Sequence, residues 1–372
     1  MMRAIGTMSG TSMDGVDVAL IETDGMGEVG AVQDAHLTLD YSPDERAVLF
    51  QAVETALAIN AREAVDHPDA KAAAALSTRR HAEALVALQK TLAVPADVIG
   101  YHGQTVLHRP NPSEPSKAFT LQLGDAQILA DATGLPIVYD FRSADVEAGG
   151  QGAPLAPLYH QALIASRTRL PAAILNLGGI ANITLIQDTN PESLLAADVG
   201  PANVFMDDLL LEREGVAFDE RGALAASGAP DLDVVRAFFT DPFFTQDGPK
   251  SLDRYSFAAP DLAHLSTADA LATLAQLTIR SVVSAVADLP ETPNALFVAG
   301  GGVQNTFIMR ELARQLPCSV APLDTLGASA AMLEAEAFAY LAVRHMHGMP
   351  TSYPSTTGVL APTVGGKLIH PQ

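Results

Sequence analysis

The chain has 372 residues, of which 43 are acidic and 22 are basic, and its formal net charge at pH 7 is −21. A surface of this sign repels nucleic-acid phosphates and anionic lipid headgroups, so it argues against a nucleic-acid partner and a polybasic membrane role. The hydrophobic content of 48% is enough for a sizeable core and excludes a wholly disordered chain. The length suggests two domains or one large domain.

The sequence contains a single cysteine, Cys318, which excludes a disulfide framework and a cysteine-based structural zinc site. The opening MMRAIGTMSGTSMDG lacks the unbroken apolar stretch of a signal peptide. Apolar runs of about 18 residues without charges or turn residues are not found either. We therefore expect a soluble cytoplasmic protein without a membrane span.

Short apolar runs typical of β-strands alternate with longer helical stretches, which predicts an α/β protein. The predicted strands are 3–6, 16–22, 31–39, 97–101, 119–123, 136–139, 172–176, 183–186 and 295–299. The predicted helices are 43–60, 70–92, 126–132, 204–212, 267–289, 305–316 and 329–343. The segment GGQGAPLAP at residues 149–157 is either a domain junction or an ordinary surface loop.

The two halves of the chain open alike. AIGTMSGTSMDGVDVALI and ILNLGGIANITLI both predict a strand, a glycine-bearing turn and a second strand. This similarity suggests a duplicated fold with two related lobes, although unrelated glycine hairpins would also look alike.

Four glycine-bearing turns follow predicted strands, at residues 10–17, 178–179, 198–203 and 300–302. Glycine lets backbone N–H groups approach a phosphate closely, whereas the alternative for each turn is a plain hairpin. Hydroxyl groups of Ser9, Thr11 and Ser12 can donate to the same phosphates. Asp14 can hold Mg²⁺ through its bound waters.

Several common catalytic motifs are missing from the sequence. It has no P-loop, no dinucleotide-binding G-x-G-x-x-G in a strand–helix context and no G-x-S-x-G nucleophile elbow. The ten histidines provide no spaced pair with a plausible third zinc ligand.

A set of motifs in consistent order covers most of the chain. They are GTMSGTSMDGVDVAL (6–20), YHGQTVLH (101–108), DFR…AGGQGAPLAP (140–157), NLGGIANIT (176–184), DVGPANVFMD (198–207), DGPKS (247–251) and VAGGGVQN (298–305). Together they resemble the anhydro-N-acetylmuramic acid kinase family. The resemblance implies a two-lobed actin-like ATPase (ribonuclease H-like) α/β fold with a duplicated core and a cleft between the lobes.

The same resemblance implies a reaction. Members of that family use ATP and Mg²⁺ to open the 1,6-anhydro bridge of 1,6-anhydro-N-acetylmuramic acid with water and to phosphorylate O6. The products are N-acetylmuramic acid 6-phosphate and ADP, in the recycling of cell-wall peptidoglycan. The family resemblance leaves a homodimer open, and no patterned interface stripe in the sequence supports one.

The resemblance also implies catalytic residues. Asp198, placed after a predicted strand, matches the general base that activates water, whereas its structural alternative is an N-cap or Asx turn before the helix. Glu334 matches a glutamate near the reacting carbon of the sugar, and its alternative is a solvated helix residue. Arg142 suits the lactyl carboxylate, with a salt bridge to Asp145 or Asp140 as the competing role.

The remaining implied residues fall into two sets. The nucleotide side comprises Gly10, Thr11, Ser12, Met13, Asp14, Gly15, Val16, Asp17, Gly178, Gly179, Gly300, Gly301, Gly302 and Asn305. The sugar side comprises His102, Gln104, Thr105, Arg142, Gly200 and Asn203. We expect a first lobe of residues 1–141 completed by the tail 346–372, and a second lobe of residues 142–345.

The sequence departs from the family pattern in two places. Ala202 stands where the family motif G-P-G-N has its second glycine, which is unfavourable if that position requires a positive φ. LGASAA at residues 326–331 replaces a proline-rich turn before the last helix. Two other interpretations stay open: a kinase of another sugar or acid, and a nucleotide-dependent sensor that catalyses no transfer.

Overall fold

The computed structural model describes residues 1–111, 113–245 and 257–372. These residues form two compact units. Unit 1 comprises Met1–Ser166 and Met332–Gln372, and unit 2 comprises Arg167–Ala331. Unit 2 is thus a continuous stretch of chain, and unit 1 is assembled from two segments.

Strands supply the framework of both units. They are β1 (Met2–Ser9), β2 (Gly15–Thr23), β3 (Val29–Asp40), β4 (Val98–Arg109), β5 (Phe119–Leu123), β6 (Ile137–Tyr139), β7 (Ala172–Leu177), β8 (Ile180–Ile186), β9 (Leu195–Pro201), β10 (Ala295–Ala299), β11 (Ser319–Pro322) and β12 (Lys367–Ile369).

Helices cover the sheets and connect their strands. They are α1 (Pro43–Ile59), α2 (Pro68–Gln89), α3 (Ala126–Thr133), α4 (Ser143–Glu147), α5 (Pro157–Ala165), α6 (Val204–Glu214), α7 (Ala223–Ser227), α8 (Leu232–Phe238), α9 (Thr267–Ala287), α10 (Thr306–Gln315), α11 (Leu333–Met346) and α12 (Pro354–Thr357).

The two central sheets have the same construction. In unit 1 the order is β12-β6-β4-β1-β2-β3, with β5 paired to β4, and in unit 2 it is β11-β10-β7-β8-β9. The first three strands of each unit form an antiparallel meander. The next two core strands run parallel to the first, as β1-β4-β6 and β7-β10-β11. The expected α/β fold with a duplicated core is confirmed.

Helix α11 lies directly on the sheet of unit 1. Gly6 on β1 and Gly100 on β4 are register partners. A Cβ atom at Gly6 would stand 1.7 Å from the carbonyl oxygen of Ala335, and one at Gly100 would stand 2.0 Å from that of Phe338. Two neighbouring glycines therefore create the shallow face on which the helix backbone rests.

The boundary between the units differs from the one expected at residues 141/142. The first segment of unit 1 continues to Ser166, and α11 belongs to the same unit because it packs on β1, β2 and β4. The tail also lies in unit 1, where β12 pairs antiparallel with β6. Packing against one sheet, rather than a change in composition, thus determines which segments belong together.

Residues 149–157 are neither a junction between units nor an ordinary surface loop. They lie within unit 1, and Gly149, Gly150 and Gly152 are buried. The carboxylate of Asp145 accepts a hydrogen bond of 2.6 Å from the amide of Gly152 and another of 2.6 Å from the hydroxyl of Thr357. A buried carboxylate thereby fixes this loop against the C-terminal segment.

Helix α9 is the core helix of unit 2. Among the described helices it is long and apolar enough to cross a membrane, but 67% of its apolar window is buried inside the protein. Its buried residues, including Leu271 and Val282, join the main hydrophobic cluster of the unit. Burial in the core therefore accounts for its composition.

Candidate active site

The turn between β1 and β2 occupies residues 10–14. Thr11, Ser12 and Asp14 are exposed, whereas Met13 is buried and has a φ of 55°. Gly15, Val16 and Asp17, expected as part of this turn, belong to β2, and the side chain of Val16 is buried. The accessible part of the predicted phosphate loop is therefore shorter than expected. It offers two hydroxyl groups and one carboxylate.

A buried polar contact supports this turn. The side chain of Gln104, which is fully buried on β4, accepts a hydrogen bond of 2.6 Å from the hydroxyl of Ser9. Its amide nitrogen donates to the carbonyl oxygen of Gly10 at 3.2 Å. Thr105, its neighbour, accepts from Gln122 at 3.2 Å. The side chain of Gln104 is thus engaged by the turn itself.

Asp14 faces a cation on α1. Its carboxylate lies 3.3 Å from the guanidinium of Arg46, and 72% of its side chain is exposed. Arg46 also donates to the carbonyl oxygen of Ser12 at 3.4 Å. An exposed ion pair of this kind is weak, so the carboxylate remains available to a metal ion.

Arg142 is held in place by two acceptors. Its Nε donates to Nε2 of His102 at 2.9 Å, and its Nη1 donates to the carbonyl oxygen of Gly152 at 2.7 Å. The Nδ1 atom of His102 lies 2.8 Å from the carbonyl oxygen of Gly103. Because Nε2 accepts from Arg142, the proton of the neutral ring is on Nδ1. Burial lowers the pKa of His102 well below its ordinary value, and Arg142 lowers it further.

Asp140 and Asp145, the two alternative salt-bridge partners of Arg142, hydrogen-bond to other groups. Asp140 forms an ion pair of 2.7 Å with Lys367 and accepts from Ser143 at 2.5 Å. Asp145 accepts from Gly152 and Thr357, as described above. Burial lowers the pKa of Arg142 to about 10, which leaves the guanidinium charged at neutral pH. Arg142 is thus a fixed cation whose hydrogen bonds go to neutral groups.

Glu334 lies in the first turn of α11 and is exposed, as its alternative role as a solvated helix residue predicts. The pKa of Glu334 is raised, mainly because the surrounding protein desolvates its carboxylate. The positive charge of Arg142 lowers this pKa in part, and the negative charge of Asp17 raises it further. Burial also raises the pKa of Asp17, which accepts a hydrogen bond of 2.5 Å from Thr38. Unit 1 therefore brings three of the predicted residues, Asp17, Arg142 and Glu334, into electrostatic contact.

This arrangement predicts a pH-dependent stability effect of Glu334→Gln. Since the pKa of Glu334 is raised on folding, its ionisation destabilises the folded state, and that loss appears as the pH rises through the raised pKa. Glutamine removes the loss. We expect the melting temperature of Glu334→Gln, relative to the unaltered protein, to be higher at pH 8 than at pH 4.

Thermal unfolding followed by circular dichroism at the two pH values measures this difference. The exposed Glu54→Gln on α1 controls for removing one negative charge from an acidic chain. A relative melting temperature of Glu334→Gln that is equal or lower at pH 8 would contradict the prediction.

Asp198 lies inside β9, not after a strand as predicted. It is opposite Asn182, whereas Gly200 is opposite Ala181, so Val199 is an extra residue on β9. Bulges of this kind redirect the neighbouring side chain and are frequent beside active sites. The helix that follows begins at Val204 with Asn203 as its N-cap residue. The alternative role of Asp198 as an N-cap is therefore wrong.

Asn203 fixes the glycine turn between β7 and β8. Its side-chain nitrogen donates to the carbonyl oxygens of Leu177 at 2.9 Å and Gly178 at 2.8 Å. The amides of Ala202 and Val204 donate to Gly179 at 2.9 and 3.2 Å. These hydrogen bonds join the predicted turns 178–179 and 198–203 within unit 2, and they leave Gly179 exposed.

Ala202 is buried and has a negative φ, so the family glycine at this position is not needed for a left-handed conformation. We expect Ala202→Gly to lower the free energy of unfolding by about 0.5–1 kcal/mol, because glycine loses more backbone entropy on folding. It should not raise the turnover rate. Denaturant unfolding and steady-state kinetics test both points, and an increase in turnover would show that the alanine methyl group obstructs the site.

The glycines after β10 lie against β7. Gly300 has a φ of 79°, and a Cβ atom there would stand 2.3 Å from Oδ1 of Asn176. Gly301 has no atom within 4 Å of such a Cβ, so the space over it is open. Asn305 is the N-cap of α10 and accepts from the amide of Ile308 at 3.1 Å. The side-chain oxygen of Asn305 thus caps the helix, and Gly301 is the part of this turn that can approach a ligand.

Gly200, expected on the sugar side, packs against α9. A Cβ atom there would stand 2.9 Å from Oγ of Ser281. The motif DGPKS at residues 247–251 lies outside the described residues. Among residues 1–111, 113–245 and 257–372, His, Cys, Asp and Glu side chains form no group of three or more that could hold a metal ion.

The residues present nevertheless fit a Mg²⁺–polyphosphate ligand. Mg²⁺ in such sites is bound by one or two carboxylates together with phosphates and water, and exposed Asp14 can supply one carboxylate. Thr11 and Ser12 stand beside it on the same exposed turn, and a Cβ atom at Gly10 would stand 3.7 Å from Oγ of Ser12.

Known proteins are similar to this chain over its whole length. A sequence model of the family described as anhydro-N-acetylmuramic acid kinase matches residues 2–371. Curated proteins with that name from Methylobacterium nodulans and Rhodopseudomonas palustris are each 46% identical, with 100% of both chains covered. One from Acidiphilium cryptum is 45% identical, with 100% of this chain and 99% of that protein covered.

Proposed function

Because the chain belongs to the anhydro-N-acetylmuramic acid kinase family, we propose that it phosphorylates 1,6-anhydro-N-acetylmuramic acid with ATP. The observation that carries this proposal is 46% identity over the full length of a relative with that name. The presence of Asp198 beside a bulge in β9 supports catalysis over mere binding, since a sensor does not need a general base.

The proposed reaction adds one water to the sugar. Asp198 takes a proton from the water, whose oxygen forms a bond to C1 while the bond between C1 and O6 breaks. O6 forms a bond to the γ-phosphorus as the bond from that phosphorus to the bridging oxygen breaks and ADP leaves. The net reaction consumes the anhydro-sugar, water and ATP and gives the 6-phosphate, ADP and one proton.

Arg142 is proposed to bind the lactyl carboxylate of the sugar. A charged guanidinium held by His102 and Gly152 is pre-organised for a planar carboxylate, since its orientation is fixed before binding. Glu334, whose carboxylate interacts with this arginine, is proposed to stabilise positive charge at C1 in the transition state.

The turn at residues 10–14 is proposed to bind the phosphates of ATP. Thr11 and Ser12 supply hydroxyl donors, and Asp14 is proposed to hold Mg²⁺ through water. Bound Mg²⁺ would neutralise developing phosphate charge. The open glycines Gly179 and Gly301 are proposed for the remaining nucleotide contacts. The single cysteine agrees with a reaction in the reducing cytoplasm.

The decisive experiment measures ADP release by the purified protein with Mg·ATP and one of two sugars. One is 1,6-anhydro-N-acetylmuramic acid, and the other is 1,6-anhydro-N-acetylglucosamine, which lacks the lactyl group. We expect ADP release with the first sugar only, and a product that carries one phosphate and one added water. In ¹⁸O-water the label should appear on C1.

Each other outcome has a definite meaning. ADP release without sugar would indicate an ATPase. Equal turnover of both sugars would show that the lactyl carboxylate is not recognised. The absence of ADP release with either sugar would overturn the kinase assignment and favour a sensor on the same fold.

A further inference from the structure

Tyr41 contacts both ends of the turn at residues 10–14. It directly follows β3 and is buried, with 6% of its surface exposed. Its backbone amide donates to the carbonyl oxygen of Asp14 at 2.9 Å. Its hydroxyl oxygen lies 3.3 Å from Oγ of Ser9, the residue before the turn.

The direction of these hydrogen bonds follows from the donors available. Ser9 has one hydroxyl proton, and Oε1 of Gln104, at 2.6 Å, can only accept. The proton of Ser9 therefore goes to Gln104, and the hydroxyl of Tyr41 is the donor in its contact with Ser9. The other side-chain partner of the Tyr41 hydroxyl is Ser77 on α2. The side-chain nitrogen of Gln104 in turn donates to the carbonyl oxygen of Gly10 at 3.2 Å. The two contacts of the Ser9 hydroxyl are buried, and the contact between Gln104 and Gly10 is partly buried.

We propose that Tyr41 is a positioning residue for the phosphate-binding turn. This inference rests on the proposed function of that turn. Tyr41 fixes Ser9 through its hydroxyl and Asp14 through its amide, which limits the conformations of the residues between them. A turn that is already ordered binds a polyphosphate without a further loss of conformational entropy.

Tyr41 differs from another buried tyrosine of unit 1, Tyr101, in its contacts to the turn. Tyr101 on β4 is equally buried, with 3% exposed, but its hydroxyl donates to the carbonyl oxygen of Leu123 on β5 at 3.3 Å. Its other side-chain partners, Ser77 and Thr78, lie on α2. Ser77 is also a side-chain partner of Tyr41. Tyr101→Phe therefore removes a buried hydroxyl group that shares Ser77 with Tyr41 but leaves the contacts of Tyr41 to Ser9 and Asp14 in place, and it serves as the matched control.

The test compares Tyr41→Phe, Tyr101→Phe and the unaltered protein. The Kd for Mg·ATP is measured by calorimetry, and the KM for each substrate is measured by steady-state kinetics. We expect Tyr41→Phe to raise the Kd and KM for ATP about 2- to 10-fold, the range for loss of one hydrogen bond. The KM for the sugar should stay unchanged, and the two variants should have similar melting temperatures.

A double variant makes the test specific. If Tyr41 acts through Ser9, Tyr41→Phe should have almost no additional effect on the Kd for Mg·ATP in a Ser9→Ala background. If the effects of the two substitutions on the Kd were additive, Tyr41 would not act through Ser9, and the inference would be wrong. An unchanged Kd in Tyr41→Phe, or an equal rise in Tyr101→Phe, would overturn the inference while leaving the proposed function intact.

The two proposals fail in different ways. Binding of Mg·ATP without sugar-dependent ADP release would contradict the proposed function, and the Kd comparison would still decide the role of Tyr41. If the unaltered protein did not bind Mg·ATP at all, both would be wrong.

Discussion

Replacing Asp198 with asparagine is expected to reduce sugar-dependent ADP release by about 10²- to 10⁴-fold, the usual contribution of a general base. Asparagine has nearly the same shape but cannot take the proton of the attacking water. The KM for ATP should change little, because the proposed role of Asp198 concerns water rather than phosphate. Rates are measured at saturating ATP and sugar, with sensitivity for at least four orders of magnitude.

Asp233→Asn is a suitable control for this variant. Asp233 lies on α8 in the same unit, and 85% of its side chain is exposed. The substitution is chemically identical but lies on a solvated helix, so activity should be unchanged. If Asp198→Asn retained a tenth or more of the activity with a normal melting temperature, another group would have to be the base.

Gly6→Ala is expected to destabilise unit 1 strongly. The added methyl group would stand 1.7 Å from the carbonyl oxygen of Ala335 and 2.6 Å from the amide nitrogen of Ala339. These are backbone atoms of α11, so the helix as a whole must move away from the sheet. We expect the free energy of unfolding to fall by about 3 kcal/mol or more, at the upper end for overpacked cores.

Denaturant unfolding followed by circular dichroism measures this loss, with Gly27→Ala as the control. Gly27 lies between β2 and β3, and a Cβ atom there would meet nothing within 4 Å. The control should therefore unfold at nearly the same denaturant concentration as the unaltered protein. A Gly6→Ala protein of normal stability would show that α11 can shift without penalty.

Most core elements could be predicted from the sequence because their apolar patterns are local. The strand expected at residues 97–101 was nevertheless too short, since β4 continues through HGQT to Arg109. Gly103, with a φ of 79°, looks like a strand end, but pairing with β5 carries the strand past it. The duplicated core could be predicted because both units begin with a strand, a glycine-bearing turn and a second strand.

The sequence indicates which polar residues matter more readily than it indicates what each of them does. Asn203 and Asn305 stood out as ligand contacts, yet their side chains hold a turn and cap a helix. Asparagine suits all of these roles, so sequence alone does not separate them. Tyr41 was missed because its contacts to Ser9 and Asp14 arise from the meeting of distant strands. A lone tyrosine before the capping box of α1 carries no signal of this kind.

The boundary between the units was missed for a related reason. Composition does not change at Ser166, and the return of α11 to unit 1 depends on Gly6 and Gly100 lying side by side. Single glycines in predicted strands give little indication of a helix that will later pack on them.

The two-segment construction of unit 1 has a consequence for synthesis on the ribosome. The chain emerges from its N-terminus, so β1 and β4 are made long before α11, with all of unit 2 translated between them. During that interval the glycine face of the first sheet has no helix to cover it. Unit 2, being continuous, can complete its core first. The part of the protein that is translated first is therefore the part whose folding finishes last.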